Sequence, residues 1–299
     1  MNNLLRKALW GVALTATAQA QANDFTVLEE LPEGLRYEAV DHGILNTIAT
    51  QLPERSAVNT SFLDPSTTPV LSLSQDANVW VTGWDEGAGF KNSVFSVTYS
   101  DGAFDGLTKS SIDLNSNGNI EFSEINAVDS VQADWLFPNF SMEGKGGQLN
   151  AGATMDVRGG EVLSAGTNVT FGLAANAWKG NGVADNVASY YGLDFLNPEA
   201  SAGGTMGTLE DNSRHVAMMF ADDSQTSVIM GFEDLRRPWG DNDFNDATFT
   251  IYATPEGAFA GSEIATAPVP GLGVLGLLAF ALIPVARRQA KARDAEPAT

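Results

Sequence analysis

Between Gly231 and Asp246 the chain reads G-F-E-D-L-R-R-P-W-G-D-N-D-F-N-D, and Glu233, Asp234, Asp241, Asp243 and Asp246 place five carboxylates around a Pro-Trp-Gly turn. Carboxylates this close repel and raise one another's pKa values, whereas a hard divalent ion such as calcium takes six to eight oxygen ligands. A solvated acidic loop is the plainer reading of a charge run. Here apolar Phe232, Leu235, Trp239 and Phe244 interleave the acids, and the run leads into Ala247 to Tyr252, which alternates like a half-buried strand. A calcium site is therefore expected at these five acids.

A second candidate lies at Asp113-Leu-Asn115-Ser-Asn117-Gly118-Asn119-Ile120-Glu121-Phe-Ser-Glu124, which fits the twelve-residue EF-hand loop at every constrained position. Asp113, Asn115 and Asn117 supply side-chain oxygens, Gly118 makes the sharp turn and Asn119 offers its carbonyl. Glu121 takes the ninth position, and Glu124 is placed for bidentate binding. Asn in place of Asp at the third and fifth positions leaves Asp113, Glu121 and Glu124 as the loop's charges, so modest affinity is expected. Asp101 to Gly106 makes a poor incoming helix, so the loop reads as one inserted into another fold.

The elements that must position these residues are strands. Val79–Thr82, Ser93–Tyr99, Val169–Leu173, Val216–Phe220, Ser227–Phe232 and Ala247–Tyr252 read as strands bounded by Gly, Asn and Asp clusters. Helix signals are few, so the expected class is all-β, a β-sandwich or jelly-roll-like domain over 76–256. Residues 23–75 read as an N-terminal segment of uncertain fold, with short helices expected within Glu29–Leu35 and Gly43–Ala49. A linker follows at 257–268.

The ends carry export signals. Arg6-Lys7, an apolar Ala8 to Ala18 and two small-residue cleavage points make residues 1–22 a cleaved signal peptide. At the other end, 269–299, Val269 to Val285 is uncharged and precedes Arg287, Arg288, Lys291 and Arg293. Seventeen residues of helix reach about 26 Å against a hydrocarbon core of about 30 Å, just enough for a membrane helix with its basic end in the cytoplasm.

Composition narrows the partners. With no cysteine there are neither disulfides nor thiolate metal sites, so an exported fold needs another staple, and calcium is the obvious one. Of 37 acids all but Asp294 and Glu296 lie between the two end segments, which leaves 35. Of 16 bases, Arg6, Lys7 and the four in the tail lie outside, which leaves 10 and a balance of −25. Such a surface disfavours nucleic acid and anionic lipid headgroups as partners. Cations and neutral polymers remain, with extracellular polysaccharide and other surface proteins as candidate partners.

Several segments in order, Asp85 to Ser93, Leu136 to Ser141 with Gly146-Gly147, Ala165 to Asn176, and the acidic motif itself, resemble the bacterial extracellular family called domain of unknown function 4114. The resemblance spans about Asn78 to Pro255. It implies an exported β-rich module of surface, adhesin-like or matrix proteins with calcium at the acidic motif, and no established catalysis. The tail resembles the Pro-Glu-Pro class of C-terminal sorting signals, which a membrane transpeptidase processes to send cargo to the outer surface or exopolysaccharide matrix. It departs from that class in lacking the glutamate of the motif and in running nine residues past Ala290.

Three functions stay open at this level. The first is a non-catalytic, calcium-binding surface or biofilm-matrix protein. The second is a calcium-dependent glycan-binding adhesin, in which Trp84, Trp178 or Trp239 stacks on a sugar ring. The third is a hydrolase using Asp241 and Asp246 as acid and base. His42 and His215 are expected to be structural, zinc catalysis lacks its ligand set, and nucleophile elbows and P-loops are absent.

Overall fold

A computed structural model describes residues 25–63, 68–207, 213–221, 223–262 and 264–266. In chain order the strands begin with β1 (Phe25–Val27), β2 (Arg36–Tyr37), β3 (Leu71–Ser72), β4 (Asn78–Asp85), β5 (Ser93–Ser100), β6 (Val131–Phe137) and β7 (Ala153–Asp156). They continue with β8 (Thr167–Ala174), β9 (Gly182–Ala184), β10 (Ser189–Tyr191), β11 (Val216–Phe220), β12 (Ser227–Phe232), β13 (Ala247–Thr254) and β14 (Ala265–Thr266). Among them lie α1 (His42–Gln51) and the one-turn helices α2 (Lys109–Ile112) and α3 (Phe122–Ile125). The protein is mostly β, as expected, and each of the six strands read from the sequence is present.

Seven strands form one sheet in the order β14-β11-β12-β13-β4-β7-β2, antiparallel except for the β11–β14 pair. A second sheet runs β10-β8-β5-β6, with β3 sharing the outer edge of β8 beside β10, and β1 and β9 pair as a separate two-stranded sheet. Side chains alternate across a strand, and that period builds the core. Val216, Met218 and Phe220 of β11, Val228, Met230 and Phe232 of β12, and Phe249 and Ile251 of β13 face inward. They meet Val169, Phe171 and Leu173 of β8 in one cluster, the arrangement of a sandwich.

The outer faces are covered as well. Ala217, Met219, Ile229 and Trp84 on the far side of the seven-stranded sheet pack with Ile48 and Leu52 from α1 and its C-cap, and with Phe62 and Phe244. Burying a residue such as Leu52 contributes about 1.5–3 kcal/mol. Asp41 starts α1 by accepting hydrogen bonds from the amides of Gly43 and Ile44 at 2.7 and 3.2 Å. On the far side of the five-stranded sheet, Phe95, Val97 and Tyr99 pack against Phe104, Ile112, Ile120 and Ile125 around the loop from Asp113 to Glu124. Thus β11 and β12 are buried on both faces, which explains their near-continuous apolar sequence.

The N-terminal residues join both sheets, through β2 on β7 and β3 on β8. A helix forms where Gly43–Ala49 was expected, whereas Glu29–Leu35 holds none: Pro32 and Gly34, with φ +83°, shape a turn there. Among the described residues no helix is long and apolar enough to cross a membrane. The expected signal peptide and C-terminal membrane helix lie outside the described residues.

Candidate metal centre

The acidic motif is the loop that joins β12 to β13. Gly231 pairs with Thr248 and Phe232 with Ala247, and Asp246 N–H donates to the Phe232 carbonyl at 3.0 Å. Residues 233–246 are thus held at both ends by the sheet ladder. Trp239 N–H donates to the Arg236 carbonyl at 2.9 Å and closes a turn. Asn242 and Phe244 both adopt left-handed backbone, at φ 63° and 55°. For a bulky residue such as Phe that conformation is costly, and the full burial of the Phe244 ring against Leu52 and Trp84 offsets the cost. Gly231 permits the close crossing, since a Cβ there would lie 2.1 Å from the Phe244 carbonyl oxygen.

This path brings the five carboxylates together in two groups that share one residue. Oxygens of Glu233, Asp241 and Asp243 lie within 4.8 Å of one another, as do those of Glu233, Asp234 and Asp246. Glu233 is 1% exposed, Asp234 4% and Asp243 2%. Gly240 leaves room for the shared side chain, because a Cβ there would stand 2.3 Å from Glu233 Oε1.

Most of the hydrogen bonds to these groups come from backbone amides. Glu233 Oε2 accepts from Asn242 N–H at 2.8 Å, and Asp243 accepts from Arg55 and Asn245 N–H at 2.7 and 3.2 Å. Asp234 N–H donates to Asp246 Oδ2 at 2.8 Å.

These bonds do not neutralise the cluster. Burial pushes Glu233 up to about 7, helped by Asp241, Asp234 and Asp243. Burial also pushes Asp246 up to about 9, with Asp234, Glu233 and Asp243 adding to it. Asp234 and Asp243 are raised as well, burial again being the first cause. Such groups hold protons that a cation displaces on binding.

Two residues at the site came from distant sequence. Asn92, fully buried, donates from Nδ2 to Asp234 Oδ2 at 2.7 Å and accepts from Asn176 N–H at 2.9 Å. Glu86 is 1% exposed and neither of its carboxylate oxygens has a well-formed hydrogen bond. Its burial pushes it up to about 7, opposed by Lys145 and the nearby Met142 backbone and reinforced by Asp85 and Asp234. Asn92 and Glu86 both lie in the Asp85 to Ser93 segment quoted above, which carried no chemical signal of its own.

The loop from Asp113 to Glu124 has the expected turn, with Gly118 at φ +84° and Ile120 fully buried. Its acids, however, do not form a group comparable to those of the β12–β13 loop. Asp113 accepts from the amides of Asn117 and Gly118, and the side-chain amides of Asn115 and Asn117 donate to Glu121 at 2.8 and 2.6 Å. Glu124 accepts from the amides of Leu114, Asn115 and Glu121. The side chain of Asn119 accepts from Arg236 Nη2 at 2.6 Å, which ties this loop to the acidic motif.

Other sequence candidates separate clearly. Trp84 and Trp178 are buried, whereas Trp239 is 74% exposed. Asp241 and Asp246 belong to different carboxylate groups. His215 is fully buried, stacks on Tyr190 at 4.2 Å, and lies 3.0 Å from both the Glu233 carbonyl and Glu199. Burial raises the Glu199 carboxyl, but the His215 contact together with the Glu199 and Arg237 backbone amides leaves it lowered.

No curated protein and no solved structure matches the chain. Residues 163–254, from just before β8 to the end of β13 and including the whole acidic motif, match the family described as Domain of unknown function (DUF4114).

Proposed function

We propose that this chain is an exported, non-catalytic, calcium-binding structural protein of the cell surface or extracellular matrix. The observation that carries the reading is the pair of carboxylate groups sharing buried Glu233. An all-oxygen donor set without cysteine or an available imidazole suits a hard cation, and calcium tolerates the irregular geometry better than magnesium. Glu86 supports it, as a buried carboxylate within electrostatic reach of Asp234 and without a good hydrogen bond of its own. In this reading calcium replaces disulfides as the staple, tying the β12–β13 loop through Asp243 to Arg55 in the turn that follows α1.

The loop from Asp113 to Glu124 is a second, weaker site. Asn115 and Asn117 must turn their amides away from Glu121 to ligate, and a loop with two Asn ligands belongs in the range of roughly 10⁻⁴ to 10⁻³ M. Against a hydrolase stands the division of Asp241 and Asp246 between two groups that both lean on Glu233.

Calorimetric titration of the purified chain with calcium, and separately with magnesium, tests this. Two calcium steps are expected, the tighter one absent in Asp243→Ala/Asp246→Ala, with magnesium weaker at both. No calcium heat up to about 10 mM, beyond the weakest extracellular modules, would sink the proposal.

Export is part of the same proposal. The signal peptide would send the body across the inner membrane, and the C-terminal segment would hold it there until a sorting transpeptidase released it. Mass spectrometry of the exported protein should find an N-terminus near Gln21 or Asn23 and a C-terminus near Pro270. An intact Met1 confined to the cytoplasm contradicts export, and an intact Thr299 in the inner membrane contradicts processing.

A further inference from the structure

Beside the acidic loop lies a cavity of about 430 Å³, within the range of small-ligand sites at about 300–1,000 Å³. Its apolar wall is made by Phe90, Tyr190 and Trp239, and its polar groups include Asn176, Lys179 and Arg236. Trp239 is the one exposed tryptophan among the described residues, and Phe90 beside it is 38% exposed. A flat, solvated indole next to a second aromatic ring is a poor use of apolar surface unless something covers it.

The charge of this cavity departs from that of the molecule around it. Where acids outnumber bases by 35 to 10, an unoccupied cation finds a carboxylate easily, and Arg36, Arg55, Lys145, Arg158 and Arg214 each do. Lys179 and Arg236 do not, among the described residues. Lys179 donates to the Asn176 carbonyl at 2.7 Å, and Arg236 donates one hydrogen bond to Asn119. Asp234 lines the same cavity, yet its hydrogen-bonded oxygen accepts from Asn92 rather than from either cation. A guanidinium has five donors in a planar fork that matches a carboxylate, so Arg236 retains capacity for an anion.

We propose that this cavity binds a uronate residue of an acidic polysaccharide. A pyranose ring offers an apolar C–H face to the Trp239 indole, hydroxyls to Asn176, and a ring carboxylate to Arg236 and Lys179. A neutral sugar would satisfy the stacking but leave both cations without a counter-charge. A simple anion or an acidic peptide would satisfy the charge and leave the aromatic wall exposed. The site is distinct from the metal centre, although Asp234 borders both.

The probe is a hyaluronan hexasaccharide, in which glucuronate alternates with N-acetylglucosamine, titrated into the purified chain while tryptophan fluorescence and heat are followed. Chitohexaose serves as the neutral control and tetraglutamate as the anionic one. Saturable hyaluronan binding is expected, at least about tenfold tighter than either control, with Trp239→Ala losing about tenfold or more, as a central aromatic contact does. Lys179→Gln and Arg236→Gln should bring the hyaluronan affinity down to that of chitohexaose. Because Trp239 and Lys179 are exposed, their substitutions leave the fold intact, and unchanged melting curves verify it.

Equal binding of chitohexaose, equal binding of tetraglutamate, an unaffected Trp239→Ala, or no hyaluronan binding would each overturn the proposal. Running the series both in calcium and in chelator keeps a failed sugar site distinguishable from a failed metal site.

Discussion

Glu233→Gln should raise the melting temperature of the chelator-treated protein at about pH 8 while abolishing the further rise that calcium gives the unsubstituted chain. The opposed signs follow from where Glu233 sits. It is shared by both carboxylate groups, almost fully buried, and pushed up to about 7. Without metal, ionising it above that pH works against burial and against Asp241, Asp234 and Asp243. A glutamine removes the charge and keeps an oxygen to accept from Asn242. At 1.36 kcal/mol per pKa unit the relief is on the order of 3 kcal/mol, or roughly 6–12 °C for a domain of this size. With metal the sign reverses, because the two groups lose the ligand they have in common. Calcium at tenfold its dissociation constant stabilises by about 1.4 kcal/mol per site, and that increment should vanish. Asp223→Asn, an exposed acid outside the cluster, should change neither quantity. Scanning calorimetry of the two variants with chelator and with calcium decides it. A lowered metal-free melting temperature in Glu233→Gln, or a calcium shift of undiminished size, would rule out the shared-ligand arrangement.

The sandwich was legible where strands are long enough to show a period. Ala247–Thr254 alternates over eight residues and Ser227–Phe232 is an apolar run of six, and their register fixes both ends of the acidic loop. Three-residue β10 and two-residue β2 and β3 have no readable period, and only pairing with a neighbour makes them strands. The covering of both outer faces was not legible either. Nothing in the helix at His42–Gln51 says which surface its buried Ile48 meets.

Site chemistry divides along the same line. The five acids of the β12–β13 loop are close in sequence and so could be recognised together. Asn92 and Glu86 come from the neighbourhood of β4 and β5, and only the fold brings Asn92 into contact with Asp234 and Glu86 within its electrostatic reach. For the loop at Asp113–Glu124 the spacing foretold the backbone turn at Gly118 but not the direction of the side chains. Backbone preference is local, whereas the donation of Asn115 and Asn117 to Glu121 depends on the rotamers that the folded loop allows. Of the three tryptophans weighed as sugar platforms, two are core residues, a distinction that burial makes and sequence does not.

Stability of the metal-free protein should fall as pH rises from about 5 to about 9, and calcium should oppose that fall. The direction comes from linkage. A carboxyl whose folded pKa lies above its unfolded value binds its proton more tightly when folded, so the native state holds more protons across that interval. Its contribution is fully present below the unfolded value and is lost as pH rises through the folded one. Glu233 and Glu86, each raised from 4.5 to about 7, set the lower part of the window, and Asp246, raised from 3.8 to about 9, extends it upward. Calcium acts on the same protons, because ligation requires the carboxylate form and binding expels whatever protons remain. The calcium-induced rise in melting temperature should therefore grow with pH across the window in which the chelated protein weakens. General repulsion on an acidic chain also lowers stability at high pH, so the slope alone is not diagnostic. Glu233→Gln separates the two causes: it leaves the surface charge nearly intact, yet should flatten the chelated profile between about pH 5 and 7, where Glu233 contributes most. Melting curves across that range, in chelator and in calcium, provide the measurement. A chelated profile that is level or rising toward pH 9, or a Glu233→Gln profile parallel to that of the unsubstituted chain, would show that the cluster is not a store of raised carboxyl groups.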